Sequence, residues 1–139
     1  MTAEDLVGTW RMVDVHVEPG DSRPWDAGLL AYTADGYVFA LLEKANRRPF
    51  ASPAPEVATT EEKASVVDTS VSYGGRYRLV DDVVHHDLVH ATIPNWRGTT
   101  LSRIVGWQGT RLTLTPLPQA GRAYHRRTVF WERASVEHV

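Results

Sequence analysis

The fold is decided by the stretch Leu6-Val7-Gly8-Thr9-Trp10, which leads directly into the run Met12-Val13-Asp14-Val15-His16-Val17. The run is rich in β-branched residues, so it predicts an extended first strand. A second tryptophan-containing stretch, Phe130-Trp131-Glu132-Arg133, lies close to the other end of the chain. Every other predicted element lies between these two stretches.

Short apolar segments separated by turn residues fill this interval, which is typical of an all-β protein. Segments 28–33 and 37–42 are predicted as strands two and three, joined by the tight turn Ala34-Asp35-Gly36, because Asp-Gly supplies the positive φ of a hairpin. Strand three is apolar on both faces, so we expect it to be covered outside as well as inside. Five further strands are predicted at 76–80, 83–93, 101–107, 111–115 and 124–133.

One short helix is expected between strands three and four. It follows a proline-containing loop over 46–55 and begins at Thr59-Thr60-Glu61-Glu62, where a threonine cap precedes acidic residues in the first turn. Val66, Val67 and Val71 then recur at helical spacing. The helix should therefore run to near Tyr73, with its valines facing the sheet and Gly74-Gly75 ending it.

Eight short antiparallel strands, each beside the next, predict an up-and-down β-barrel whose interior holds one small ligand. A sandwich of the same strands is the rival fold. The 139 residues are long enough to bury a core, and we assign residues 1–139 to a single barrel domain.

The composition excludes several classes of protein. The formal net charge of −2 argues against nucleic-acid binding, and no apolar run is long enough to span a membrane. The N-terminal residues lack the pattern of a signal peptide, and the chain has no cysteine, which fits a reducing compartment. We expect a cytoplasmic protein, either a monomer or a homodimer.

Several segments, in order along almost the whole chain, carry a resemblance to a known family: Leu6-Val7-Gly8-Thr9-Trp10, Gly28-Leu29-Leu30-Ala31-Tyr32-Thr33-Ala34-Asp35-Gly36, Tyr73-Gly74-Gly75-Arg76-Tyr77, Val83-Val84-His85-His86, Pro94-Asn95-Trp96-Arg97-Gly98, Leu112-Thr113-Leu114 and Trp131-Glu132-Arg133. The pattern resembles the bacterial and fungal lipocalin-like domain family of calycin-like barrels. The resemblance implies that Trp10 plugs the closed end of the barrel and that Arg133 lies over its ring. Such a cation–π contact contributes roughly 1–2 kcal/mol when partly desolvated and ties the first strand to the last. No set of catalytic residues comes with the resemblance.

Strand five carries the sharpest chemical signal, because it holds three histidines within six residues, His85, His86 and His90. Side chains alternate along a strand, so His85 shares one face with Asp87, while the other two histidines share the opposite face. Two valines on the face of His85 indicate that this face looks inward. We therefore expect His85 to anchor a ligand or act as a general base, with a structural histidine as the alternative.

His86 and His90 are expected to face solvent. Their Cα atoms lie roughly 13 Å apart on a strand, which is too far for one metal ion. No metal and no other cofactor is expected.

Two arginines are candidates for the interior. If Arg133 points inward, strand parity places Arg127 and His125 inward as well, and Arg103 on strand six shares a face with Trp107. An arginine inside a barrel must pair with a carboxylate or bind a ligand's carboxylate, enolate or carbonyl oxygen. The structural alternative is an ion pair with Asp14, Asp87 or Glu132.

Two functions follow from these residues. The first is a barrel that binds a small, largely apolar molecule resembling a polyketide or another natural product. The second is a cofactor-free cyclase or isomerase of secondary metabolism that uses the same pocket, with His85 or a tyrosine moving a proton. In both cases the predicted ligand-binding residues are Tyr32, Phe39, Tyr77, His85, Asp87, Trp96, Arg103, Trp107, Tyr124, His125 and Arg127. A barrel filled by its own side chains would instead be an interaction module.

Overall fold

A computed structural model describes residues 1–20, 25–118 and 126–135. Within these residues the strands form one closed antiparallel barrel in which each strand pairs with the next and the last pairs with the first. The strands are β1 (Gly8–Val17), β2 (Ala27–Tyr32), β3 (Tyr37–Glu43), β4 (Ser70–Val80), β5 (Val83–Ala91), β6 (Thr100–Gln108), β7 (Arg111–Pro116) and β8 (Arg127–Arg133). The predicted eight-stranded barrel is confirmed. The predicted start of strand eight, at Tyr124, lies outside the described residues.

The seam between β1 and β8 closes the barrel. Trp10 lies opposite Arg133, and Met12 lies opposite Trp131. The register then shifts between Met12 and Asp14, which is the signature of a β-bulge. Because of this shift Met12 and Val15 both face the interior, although three positions separate them.

One end of the barrel is closed around Trp10, which is fully buried. Its indole nitrogen donates to the Leu6 carbonyl at 2.9 Å, and the guanidinium carbon of Arg133 lies 4.3 Å from the ring centroid. Arg133 also donates to the carbonyls of Val7 and Asp5, at 2.8 and 3.0 Å. Gly8 lies beneath this arginine with φ of 134°, and a Cβ there would come within 2.6 Å of Nη1. The glycine therefore leaves the space that the arginine occupies.

A single α-helix, α1 (Thr60–Thr69), lies between β3 and β4 in the described part of the chain, alongside the 3₁₀ turns Ala3–Asp5, Pro55–Val57 and Pro94–Trp96. Its start is as predicted: the Thr59 hydroxyl accepts from the Glu62 amide at 3.1 Å, and the Glu62 carboxylate accepts from the Thr59 amide at 2.9 Å.

The predicted end of the helix, near Tyr73, is wrong. Residues 70–73 belong to β4, where Val71 pairs with Leu42 and is buried, whereas Val66 and Val67 are exposed. The valines therefore form no stripe against the barrel. Closing the sheet requires a partner for the backbone of β3, and this requirement outweighs the helical spacing of the valines.

The expectation that the outer face of β3 is covered is also wrong. Tyr37, Phe39 and Leu41 are 38, 51 and 54% exposed. Two of these side chains contact neighbours on the outer surface. Tyr37 stacks on Phe39 with ring centroids 6.5 Å apart, and the Arg76 guanidinium lies 5.1 Å from the centre of the Tyr37 ring. Such cross-strand and same-face pairs stabilise a sheet without an outer layer.

Among the described residues, no helix is both long enough and apolar enough to cross a membrane.

The contact between Trp10 and Arg133 is open to direct measurement. Trp10→Ala should lower the free energy of unfolding by about 3–5 kcal/mol, because it removes a large buried ring and the platform beneath the guanidinium. Arg133→Ala should cost less, and a double-mutant cycle by urea denaturation should give a coupling of about 1 kcal/mol. Arg111→Ala is the control, because its partner Glu132 lies on the outer surface. Equal coupling for both arginines would contradict the proposed closure.

Candidate functional site

The barrel encloses a cavity of about 270 Å³. Its wall is mainly apolar and includes aliphatic residues such as Met12, Leu30, Leu42 and Leu114, together with the indoles Trp25, Trp96 and Trp131. The volume is close to the lower end of the roughly 300–1,000 Å³ that is usual for small-molecule sites. A closely packed protein interior leaves few voids of this size.

Four side chains give the wall its polar character: Tyr73, His86, Arg103 and Arg127. Among the described residues that line the cavity, none is an aspartate or glutamate. The described residues also contain no group of three or more histidine, cysteine, aspartate or glutamate side chains arranged to hold a metal ion.

His86 lies on β5 and is 1% exposed. Its Nε2 lies 2.7 Å from the Tyr32 hydroxyl, and its Nδ1 lies 3.0 Å from the Tyr73 hydroxyl. Burial, followed by the positive charge of Arg103, lowers the pKa of His86 to about 3. The imidazole is therefore neutral at neutral pH.

The surroundings of Tyr32 decide which ring nitrogen carries the proton. Tyr32 is 1% exposed, and among the described residues its hydroxyl has one hydrogen-bond partner, His86. If Nε2 donated to this hydroxyl, the tyrosine proton would be buried without an acceptor, which is costly. Tyr32 therefore donates to Nε2, and Nδ1 donates to Tyr73. Because the Tyr73 hydroxyl accepts this hydrogen bond, its own proton points away from His86. The Tyr73 side chain lines the cavity.

The predicted orientation of strand five is wrong. Val84, His86 and Leu88 are the buried face, whereas His85 and Asp87 lie on the outer face. His85 Nδ1 lies 2.7 Å from the Ser102 hydroxyl, so His85 lies away from the cavity and is not its anchor or base. The prediction for His86 is wrong for the same reason, although His90 is exposed as expected.

The outward position of Asp87 explains this error. Its carboxylate accepts from Arg78 at 3.1 Å and from the Thr100 hydroxyl at 2.7 Å, both on neighbouring strands. Valines occur on both faces of β5, so apolar pattern alone does not orient it. A carboxylate on one of those faces was the signal that this face meets solvent.

Of the other predicted ligand-binding residues, three line the cavity: Trp96, Arg103 and Arg127. Tyr32 and Tyr77 lie behind the wall, where their rings meet edge to face at 4.8 Å and the Tyr77 hydroxyl donates to the Thr33 carbonyl at 2.9 Å.

The remaining predictions fall elsewhere. Phe39 lies on the outer surface, and Trp107 lies at the closed end, 6.0 Å from Trp10, so neither lines the cavity. Tyr124 and His125 lie outside the described residues.

His86, Tyr73 and Trp131 also line the cavity, although the sequence pattern did not indicate them as wall residues. Helical spacing predicts Tyr73 at the end of the helix, whereas Tyr73 lies on β4. The Trp131 indole nitrogen is buried, and it has no hydrogen-bond partner among the described residues. The alternation of side chains along β8 that places Arg127 inward places Trp131 inward as well.

Comparison with known proteins agrees with this architecture. A family model described as a lipocalin-like domain matches residues 7–134. Among solved structures, a redesigned β-barrel is 12% identical, with a TM-score of 0.51 and coverage of 96% of both chains. A variant of the fluorescent protein UnaG is 14% identical, with a TM-score of 0.44 and coverage of 96% of this chain and 99% of the other. None of the curated proteins searched matches the chain.

The lowered pKa of His86 predicts a pH-dependent stability. His86 takes up a proton near pH 6.5 when unfolded and near pH 3 when folded, so its contribution is complete above about pH 6.5 and is lost as the pH falls towards 3. Between pH 7 and 5 this loss is roughly 2 kcal/mol. Urea denaturation at both pH values should show that His86→Gln loses less stability than wild type by about this amount.

His85→Gln is the matched control on the outer face, and it should keep the wild-type pH dependence. If His86→Gln does not fold, NMR of the wild-type imidazole should show a neutral ring at pH 5. A charged ring at pH 5, or equal pH dependence in both variants, would contradict the assignment.

Proposed function

The chain belongs to the lipocalin-like domain family, and on that premise we propose that it binds one small, largely apolar molecule inside the barrel. The single observation that carries the proposal is the cavity of about 270 Å³ with its mainly apolar wall. A void in a packed interior forfeits dispersion contacts, and an apolar guest would restore them. The three indoles of the wall suit a flat or polyene-like guest, such as a polyketide-like natural product.

The alternative is a cofactor-free cyclase or isomerase that uses the same cavity. An isomerase would need a group that accepts a proton at neutral pH, and His86 is poorly suited to this task. Both of its ring nitrogens are engaged by tyrosines, and burial holds its pKa at about 3. These two observations favour binding without chemistry.

Filling the cavity tests the proposal. Ala40 lines the cavity and is 1% exposed, so Ala40→Phe should occupy part of its volume. The probe is N-phenylnaphthylamine, whose fluorescence rises when it enters an apolar site. Wild-type protein should bind it with a stoichiometry of one, and Ala40→Phe should weaken binding about tenfold or more, which corresponds to about 1.4 kcal/mol.

Leu41→Phe is the matched control, since it adds a ring at the next position of β3 but on the outer face. It should leave probe affinity unchanged. Absence of saturable binding to wild type, or equal weakening by both variants, would overturn the proposal. Product analysis of any guest recovered from the natural host would separate the carrier from the enzyme, because only the enzyme would change the guest.

A further inference from the structure

The polar groups of the cavity wall are unusual in their balance of charge. The described lining contains two guanidinium groups, Arg103 and Arg127, and no carboxylate. His86 adds no available acceptor, because its unprotonated nitrogen already accepts from Tyr32. The polar part of the wall is therefore dominated by cationic hydrogen-bond donors.

Arg103 is the cation whose surroundings are best defined. It projects inward from β6 beside the buried Leu101 and Val105. Its Nη1 donates to the Ser102 carbonyl at 3.1 Å, and no carboxylate in the described part of the chain lies within ion-pair distance of it. A guanidinium has five N–H donors, so this contact leaves most of them for another acceptor.

On the outer surface of the same barrel, arginines are paired with carboxylates. Arg11 and Arg111 both pair with Glu132, at 3.0 and 2.9 Å, and Arg78 pairs with Asp87 at 3.1 Å. Arginines on neighbouring strands thus meet carboxylates outside, where water would otherwise solvate them. Arg103 faces the cavity, where desolvation is most costly, with a backbone carbonyl as its acceptor.

Trp131 also lines the cavity, and among the described residues its indole N–H has no hydrogen-bond acceptor. That nitrogen is fully enclosed by protein atoms, so it is not counted among the groups that a guest would reach. The electrostatics agree with the contacts, because the charge of Arg103 reaches far enough into the interior to lower the pKa of His86, after burial itself.

We propose that the guest is an organic acid: a small, largely apolar molecule with one anionic oxygen group, a carboxylate or an enolate, that Arg103 binds inside the barrel. The proposal rests on the proposed binding function and names the ligand class. It excludes hydrocarbons, alcohols and amines as the preferred guests. A planar guanidinium matches a two-oxygen anion through paired hydrogen bonds, which a neutral amide does not reproduce.

Matched pairs of competitors test the ligand class at pH 7. Naphthoate and naphthamide differ only in the anionic group, and each would displace N-phenylnaphthylamine from wild-type protein. Naphthoate should bind at least about tenfold more tightly, since a hydrogen bond to a charged group is that strong. Hydroxynaphthoquinone, ionised as its enolate, and neutral methoxynaphthoquinone form the second pair, which shows whether an enolate is also accepted.

Two substitutions assign the effect to Arg103. Arg103→Met should bring the affinities for naphthoate and naphthamide to within about threefold of each other, and Arg103→Lys should restore part of the preference for the acid. Arg76→Met is the matched control, because it removes the same charge from an exposed outer position. It should leave the preference intact.

The outcomes separate this proposal from the binding function on which it rests. If the neutral probe binds but acid and amide compete equally, the ligand class is wrong and the binding function stands. If Arg103→Met keeps the full preference, Arg103 is not the anchor. If neither probe nor competitor binds wild type, both proposals fail. The comparison on wild type decides the ligand class even if no Arg103 variant folds.

Discussion

The guanidinium of Arg133 over the indole of Trp10 is the contact on which the barrel depends. A single side chain from the last strand touches the first strand and binds the carbonyls of Asp5 and Val7, which precede that strand. Because β1 pairs with β8, the backbone hydrogen bonds of both terminal strands are satisfied and the sheet has no open edge. The closed sheet then surrounds the cavity.

The carboxylates of the described strands lie on the outer surface, and this placement determines the charge of the interior. Glu132 joins two arginines on the outside of the barrel, and Asp87 joins a third with a threonine. Inside the barrel, no carboxylate in the described part of the chain pairs with Arg103. A neutral His86 between two tyrosines adds polarity there without adding a further buried charge, which would be costly to desolvate.

The sequence predicted the barrel, its strand order and its single helix, because turn residues and alternating patterns are local signals. It did not predict the face of β5, where apolar residues occur on both sides and only Asp87 marks the outside. Nor did it predict that Tyr73 belongs to a strand, since helical spacing is local whereas pairing with β3 is not. The alternation of side chains along β6 and β8 correctly predicted that Arg103 and Arg127 face the interior. Cavity-lining positions were therefore predicted on β6 and β8, where the strand orientation was unambiguous, and at Trp96 in the turn after β5.

The exposed aromatic and aliphatic side chains of β3 have a consequence for self-association. In an open sheet, an apolar outer strand next to unpaired backbone would recruit strands from other molecules and seed fibrils. Here every strand is already paired on both sides, so Phe39 and Leu41 offer only side-chain contacts to a neighbour. Separation of β1 from β8 would expose two unpaired backbone edges on a barrel whose β3 already presents apolar side chains to solvent. Aggregation of this protein should therefore begin with separation of these two strands rather than with contacts between the exposed side chains of β3.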